Sequence, residues 1–83
     1  MISTSKLSIT VGAPNWTPLE RVLPPDECMN YMYMGRAGEI ELYKHRHTRR
    51  YINISSNGSS FYLYSGENYV EVTQAEALDH VRS

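Results

Sequence analysis

Three sets of side chains in this chain have types and spacings that bear on chemistry. The first is His45-x-His47, two imidazoles that would need one or two further ligands to hold a zinc ion. Cys28 and His80 are the remaining soft donors, and neither stands at motif spacing from the pair. The histidines therefore read as exposed loop residues and no metal is expected. The second set is Cys28 with its acidic neighbours. A nucleophilic cysteine needs its thiolate favoured, and Asp26 and Glu27 would tend to disfavour it. A lone cysteine beside Met29 reads instead as a small hydrophobe. Glu41 and Glu71 lie on separate strands and do not form an acid–base couple. GxSxG, HExxH, P-loop and GxGxxG patterns do not occur. The expectation is a non-enzymatic protein without a cofactor.

The third set carries the functional expectation. In Tyr43–Tyr51 (YKHRHTRRY), two tyrosines bracket seven positions, six of them basic or able to become so. Arginine over tyrosine rings is favourable by about 0.5–2 kcal/mol, depending on how dry the contact is. Such aromatic–cationic corners take nucleic-acid bases, phosphates or acidic protein surfaces. The bland alternative is a strand end kept soluble, and kept from pairing with other edges, by its charges.

The totals narrow the choice. Eighty-three residues make one small domain, 1–83, which must use nearly every large apolar side chain in its core. The segment 1–15 is either flexible or an edge strand (KLSITV). Eight Lys and Arg against nine Asp and Glu give a net charge of −1, unlike domains held to nucleic acid by bulk charge. One cysteine allows no internal disulfide and suits a reducing compartment. The N-terminal stretch lacks the apolar core of a signal peptide, and no segment approaches a membrane span. The expected location is cytoplasmic.

The elements that position these side chains are legible from period and punctuation. Thr17-Pro18 opens a short helix that must end before Pro24-Pro25, and Pro25 with Asp26 and Glu27 can open another turn. Alternating runs follow at Tyr31–Gly35, Glu39–His45, Arg50–Ser55, Ser59–Ser65 and Asn68–Thr73, separated by turn residues. Thr73-x-x-Glu76 is a capping box that starts a C-terminal helix. The fold class is α+β: a four- or five-stranded antiparallel meander sheet with short N-terminal helical segments and a C-terminal helix packed on one face. The choice between four and five strands rests on Tyr31–Gly35, which also suits a helix continuing from Pro25.

Turn lengths set the register. A type I′ turn at Asn57-Gly58 pairs Ile52 with Leu63 and Tyr51 with Tyr64. A type II′ turn at Gly66-Glu67 pairs Leu63 with Val70 and Tyr64 with Tyr69. Three-residue loops at Arg46–Thr48 and Arg36–Gly38 pair Tyr43 with Tyr51 and Tyr31 with Tyr43. This register puts the apolar side chains under the helices and all seven tyrosines on the opposite face. Lys44 and Arg50 fall on the helix side, and His45 and Arg49 beside the tyrosines.

The expected partner-binding surface is therefore Tyr31, Tyr33, Tyr43, His45, Arg49, Tyr51, Tyr62, Tyr64 and Tyr69. Tyrosine and arginine are the residues most enriched at binding hot spots. The expected function is that of a small adaptor, inhibitor or immunity-type protein. It would dock this face on a protein partner, or on a second copy as a homodimer. The alternative is a single-stranded nucleic-acid module that stacks bases on the same tyrosines beside the basic tip.

Overall fold

A computed structural model describes residues 9–10 and 12–83, and expectations resting on 1–8 and 11 lie outside the described residues. The element order is β1 (Ile9–Thr10), α1 (Thr17–Glu20), α2 (Pro25–Cys28), β2 (Tyr31–Ala37), β3 (Ile40–His45), β4 (Tyr51–Ser55), β5 (Phe61–Ser65), β6 (Asn68–Val72) and α3 (Gln74–Arg82). The five longer strands form the expected antiparallel meander. β1 extends it by pairing Ile9 with Ala37 and Thr10 with Arg36. Tyr31–Gly35 is strand, because the chain leaves α2 at Met29 and joins β3 at once.

The helical segments end where their punctuation says. Pro24-Pro25 stops α1 and starts α2. The residue capping α1 is Trp16 rather than Thr17, whose N–H donates instead to Asn15 Oδ1 at 3.3 Å. At α3 both arms of the capping box are present: Thr73 Oγ1 accepts from Glu76 N–H, and Glu76 accepts from Thr73 N–H. The helices cover one sheet face around Leu19, Leu23, Ile52, Ile54, Phe61, Ala77 and Val81, all buried.

Register divides the sheet into two halves. β5 and β6 pair as expected, with Leu63 opposite Val70 and Tyr64 opposite Tyr69. Their turn has both Gly66 and Glu67 at positive φ, 55° and 70°, so it is type I′ rather than II′. Both are two-residue turns, so the register is the same. β4 and β5 also align as expected, but the ladder comprises only Asn53–Tyr62 and Ile54–Phe61. The expected pairs Ile52–Leu63 and Tyr51–Tyr64 do not form. Asn57 is not at positive φ, so Asn57-Gly58 is no type I′ turn. The loop spans four residues, with Ser55 N–H donating to Ser60 O. Ser55 Oγ accepts from Ser59 and Ser60 N–H, and Asn57 Oδ1 also accepts from Ser59 N–H, so the loop caps itself.

β2 and β3 depart from expectation by one residue. Tyr43 pairs with Ile52 and Lys44 with Tyr51, not Tyr43 with Tyr51. The cause is the tip. Its loop has four residues, Arg46–Arg49, closed by His45 N–H donating to Arg50 O, and Arg49 is left-handed at φ 67°. Tertiary contacts hold this longer loop. Arg46 donates from its backbone N–H to Asn30 O and from Nε to Met29 O, and Thr48 Oγ1 donates to Val81 O at the end of α3. The β2–β3 turn is also shorter than expected. It has two residues, Gly38-Glu39, with Gly38 at φ 61°, and a bulge between Tyr33 and Gly35 absorbs the remaining offset.

A one-residue slip exchanges faces. Tyr31 and Tyr43 are therefore buried under the helices, and Tyr33 packs against the same core. Tyr51, Tyr62, Tyr64 and Tyr69 stay on the open face. The expectation of seven tyrosines on one surface is corrected to three and four.

Candidate functional site

The nine expected contact residues fall into three groups. Tyr31, Tyr33 and Tyr43 are core and polar-network residues. Trp16 lies 5.6 Å from the Tyr43 ring and 6.1 Å from Tyr33, centroid to centroid. Tyr43 is fully buried and its hydroxyl donates to Asn15 O at 2.5 Å, so it anchors the segment before α1. Burial pushes its phenol far above the ordinary range, and the nearby Glu41 charge adds to this.

Glu41, expected on the open face, is instead fully buried on the helix side. Its Oε1 accepts from Tyr33 OH at 2.6 Å. Its Oε2 accepts from Ser56 Oγ at 2.7 Å, Arg36 Nε at 2.8 Å and Asn15 Nδ2 at 3.3 Å. Burial by itself raises a carboxyl pKa, but these four donors outweigh it and hold Glu41 below its usual range. Burial first, and then the Glu41 carboxylate, raise the Tyr33 phenol, and Arg36 opposes them. This is a structural cluster: every oxygen of the carboxylate is engaged.

His45 and Arg49 belong to the tip. The His45 ring lies on the helix side, edge-on to Tyr31 at 4.9 Å. Its Nδ1 accepts from the backbone N–H of His47 at 3.0 Å and of Thr48 at 3.2 Å, so the imidazole caps the turn in its neutral form. Burial first, and then His47, lower its pKa. Among the described residues no three His, Cys, Asp or Glu side chains gather as a metal would need. Arg49 is exposed and serves the turn through its left-handed backbone.

Tyr51, Tyr62, Tyr64 and Tyr69 form the accessible group. The Tyr64 and Tyr69 rings meet at 4.9 Å, and Lys44 Nζ lies 5.8 Å from the centre of the Tyr51 ring. Burial raises the Tyr69 phenol, followed by the neighbouring Tyr64 and Tyr51 phenols, so three hydroxyl-bearing rings share one region. Tyr64 is 57% exposed, whereas the 48% exposed Val70 pairs with Leu63 and points to the other face of the edge strand β6.

Beside this group is a feature that alternation alone did not signal. Where β4 and β5 stop pairing, a cavity of about 400 Å³ opens, lined by Ile9, Arg50, Tyr51, Asn53, Leu63, Tyr64 and His80. Its walls come from β1, β4, β5 and α3, so the sheet coils far enough to bring Ile9 near the fork. Asn53 is 2% exposed. Its Nδ2 donates to Tyr62 O at 3.2 Å, which fixes the amide's orientation, while its Oδ1 has no partner among the described residues.

A second, shallower cleft on the helix side is lined by Trp16, Glu20, Pro25, Cys28, Met29, Tyr31 and Arg46. Its Cys28 thiol is pushed up by burial and by Glu20, Glu27 and Asp26, the reverse of nucleophile activation.

Among the described residues, no helix is long and apolar enough to cross a membrane. Comparison with protein-family models, with curated proteins and with solved structures finds no match.

Proposed function

We propose that this chain is a small non-enzymatic protein of the cytoplasm, of adaptor, inhibitor or immunity type. It would bind a protein partner through the open face of β4–β6. The observation that carries this reading is the cluster of Tyr51, Tyr64 and Tyr69 on the sheet face opposite the helices, with Tyr64 57% exposed. Tyrosines that are rigid, amphipathic and already packed ring against ring lose little rotamer freedom on docking, which is why they concentrate binding energy. Tyr62 extends the face, and Arg49 and Arg50 supply a cationic rim. Tyr31, Tyr33, Tyr43 and His45 are assigned to the scaffold rather than to the contact.

The test is capture from extracts of the native host on the immobilised chain, comparing wild type with Tyr64→Ala and with Tyr69→Ala. Loss of a hot-spot ring should weaken a partner by about thirtyfold or more. A partner held equally by wild type and both variants overturns the assignment. Self-association through the same face would appear as a dimer in size-exclusion chromatography that Tyr64→Ala dissociates. Single-stranded nucleic acid, favoured only by Lys44 over Tyr51 and the adjoining arginines, would show binding to a mixed oligonucleotide pool that falls steeply with salt.

A further inference from the structure

The fork between β4 and β5 combines four properties that suit a small-molecule ligand. It has the volume of a small-molecule site, about 400 Å³. Its walls are chiefly apolar and aromatic, from Ile9, Leu63, Tyr51 and Tyr64. Two of its lining side chains, Arg50 and His80, are basic, and none is acidic. Asn53 contributes a buried carbonyl oxygen without a hydrogen-bond partner among the described residues. An unmade bond at a buried acceptor is costly, and a wall residue is where an incoming donor can make it. The amide cannot turn to relieve the defect, because its nitrogen would leave Tyr62 O and present an acceptor there.

We propose that this fork binds a small aromatic carboxylate that carries an O–H or N–H donor on its ring. The ring lies between Tyr51, Tyr64 and Leu63, the ring donor satisfies Asn53 Oδ1, and the carboxylate meets Arg50 and His80 at the mouth. The splayed ladder is then part of the site: continuous Ile52–Leu63 and Tyr51–Tyr64 pairing would close it. The site shares Tyr51 and Tyr64 with the proposed docking face but does not rest on that reading, since the cavity and the unpartnered Asn53 oxygen are present whether or not a protein docks.

The test is titration of the isotope-labelled chain with 4-hydroxyphenylacetate, phenylacetate and tyramine, followed by amide and methyl chemical shifts. The expected result is saturable shifts at the Asn53 side-chain amide, Leu63 and Tyr64 with 4-hydroxyphenylacetate. Phenylacetate, lacking the donor, should bind about tenfold more weakly. Tyramine, with a cation in place of the carboxylate, should bind more weakly still. Arg50→Ala, an exposed change, should weaken the first two acids and not weaken tyramine, whose like-charged neighbour it removes. Leu63→Trp should abolish binding by filling the fork, with circular dichroism checking that it folds. If Leu63→Trp does not fold, Arg50→Ala and the ligand series decide alone. Absence of saturable shifts at millimolar concentration overturns the proposal. So do shifts confined to the Trp16–Met29 cleft, or equal affinity for 4-hydroxyphenylacetate and phenylacetate.

Discussion

Replacing Glu41 by glutamine tests the one-residue slip of β3, which carries this carboxylate into the helix-side cluster with Tyr33, Arg36, Asn15 and Ser56. Glutamine has nearly the same shape. With its amide turned so that the oxygen keeps the Oε2 position, it can still accept from Ser56, Asn15 and Arg36, while its NH₂ donates to the reversed Tyr33 hydroxyl. What is lost is the charge. Hydrogen bonds to an ionised group contribute about 1.5–3 kcal/mol and neutral ones about 0.5–1.5. The bonds from Tyr33 and Ser56, at 2.6 and 2.7 Å, therefore lose about 1 kcal/mol each. Arg36 stays partly hydrated and is left out of this sum. The expected loss is about 2 kcal/mol, which for a domain of this size lowers Tm by about 10 °C. It is read from urea unfolding followed by the fluorescence of Trp16, the only tryptophan, which sits against Tyr33 and Tyr43.

The pH dependence makes this test specific. A carboxylate whose folded pKa is depressed contributes stability above its unfolded value. That contribution is lost as pH falls through the folded value. The advantage of wild type over Glu41→Gln should thus be full near neutrality. It should shrink below pH 4.5, the ordinary value, and vanish once the folded carboxyl is protonated. A difference under about 0.5 kcal/mol at neutral pH, typical of an open surface site, would refute the buried cluster. So would a difference that stays constant as the pH is lowered.

Two further substitutions probe the same division of the sheet. Tyr43→Phe deletes the hydroxyl that holds Asn15 O in a buried setting and should cost about 1–2 kcal/mol, whereas Tyr64→Phe on the open face should cost under about 0.5. Equal costs in denaturant midpoints would mean that both rings occupy equivalent faces. His45 accepts two backbone bonds through Nδ1 and its pKa is lowered. Wild type should therefore lose stability as pH falls from 6.5 through the depressed folded value. His45→Asn should lack that step, and an identical pH profile in the two proteins would contradict the turn-capping role.

Much of the architecture could be read from residue order because its determinants are local. The Thr73–Glu76 capping box, the Pro24-Pro25 break and the Gly66-Glu67 turn each act within a few residues, and each appears where its chemistry requires. In β4–β6 one face is aliphatic with Phe61 and the other is tyrosine-rich, so alternation and a short turn together settle which side is buried. β2 and β3 lack that contrast. Met32, Ile40 and Leu42 compete with Tyr31, Tyr33 and Tyr43, and either set can line a core. Alternation then fixes the period but not the phase.

The phase is decided at a distance. Asn30 O, Met29 O and Val81 O hold the tip open by one residue, and the bulge near Gly35 passes the shift along. Asn15 and Ser56 arrive from remote parts of the chain to help make burial of Glu41 tolerable. The accessible surface changes accordingly, from a continuous row of tyrosines to the shorter group Tyr51, Tyr62, Tyr64 and Tyr69 with a cavity at its edge. The sequence by itself determined the meander, its flanking helices and the face of its last three strands, because hydrophobic period and turn chemistry are properties of neighbours. Only the tertiary structure decided which tyrosines are core, where β4 and β5 part and which oxygen is left unpaired. Those outcomes depend on loop lengths and donors set by contacts between residues far apart in the chain.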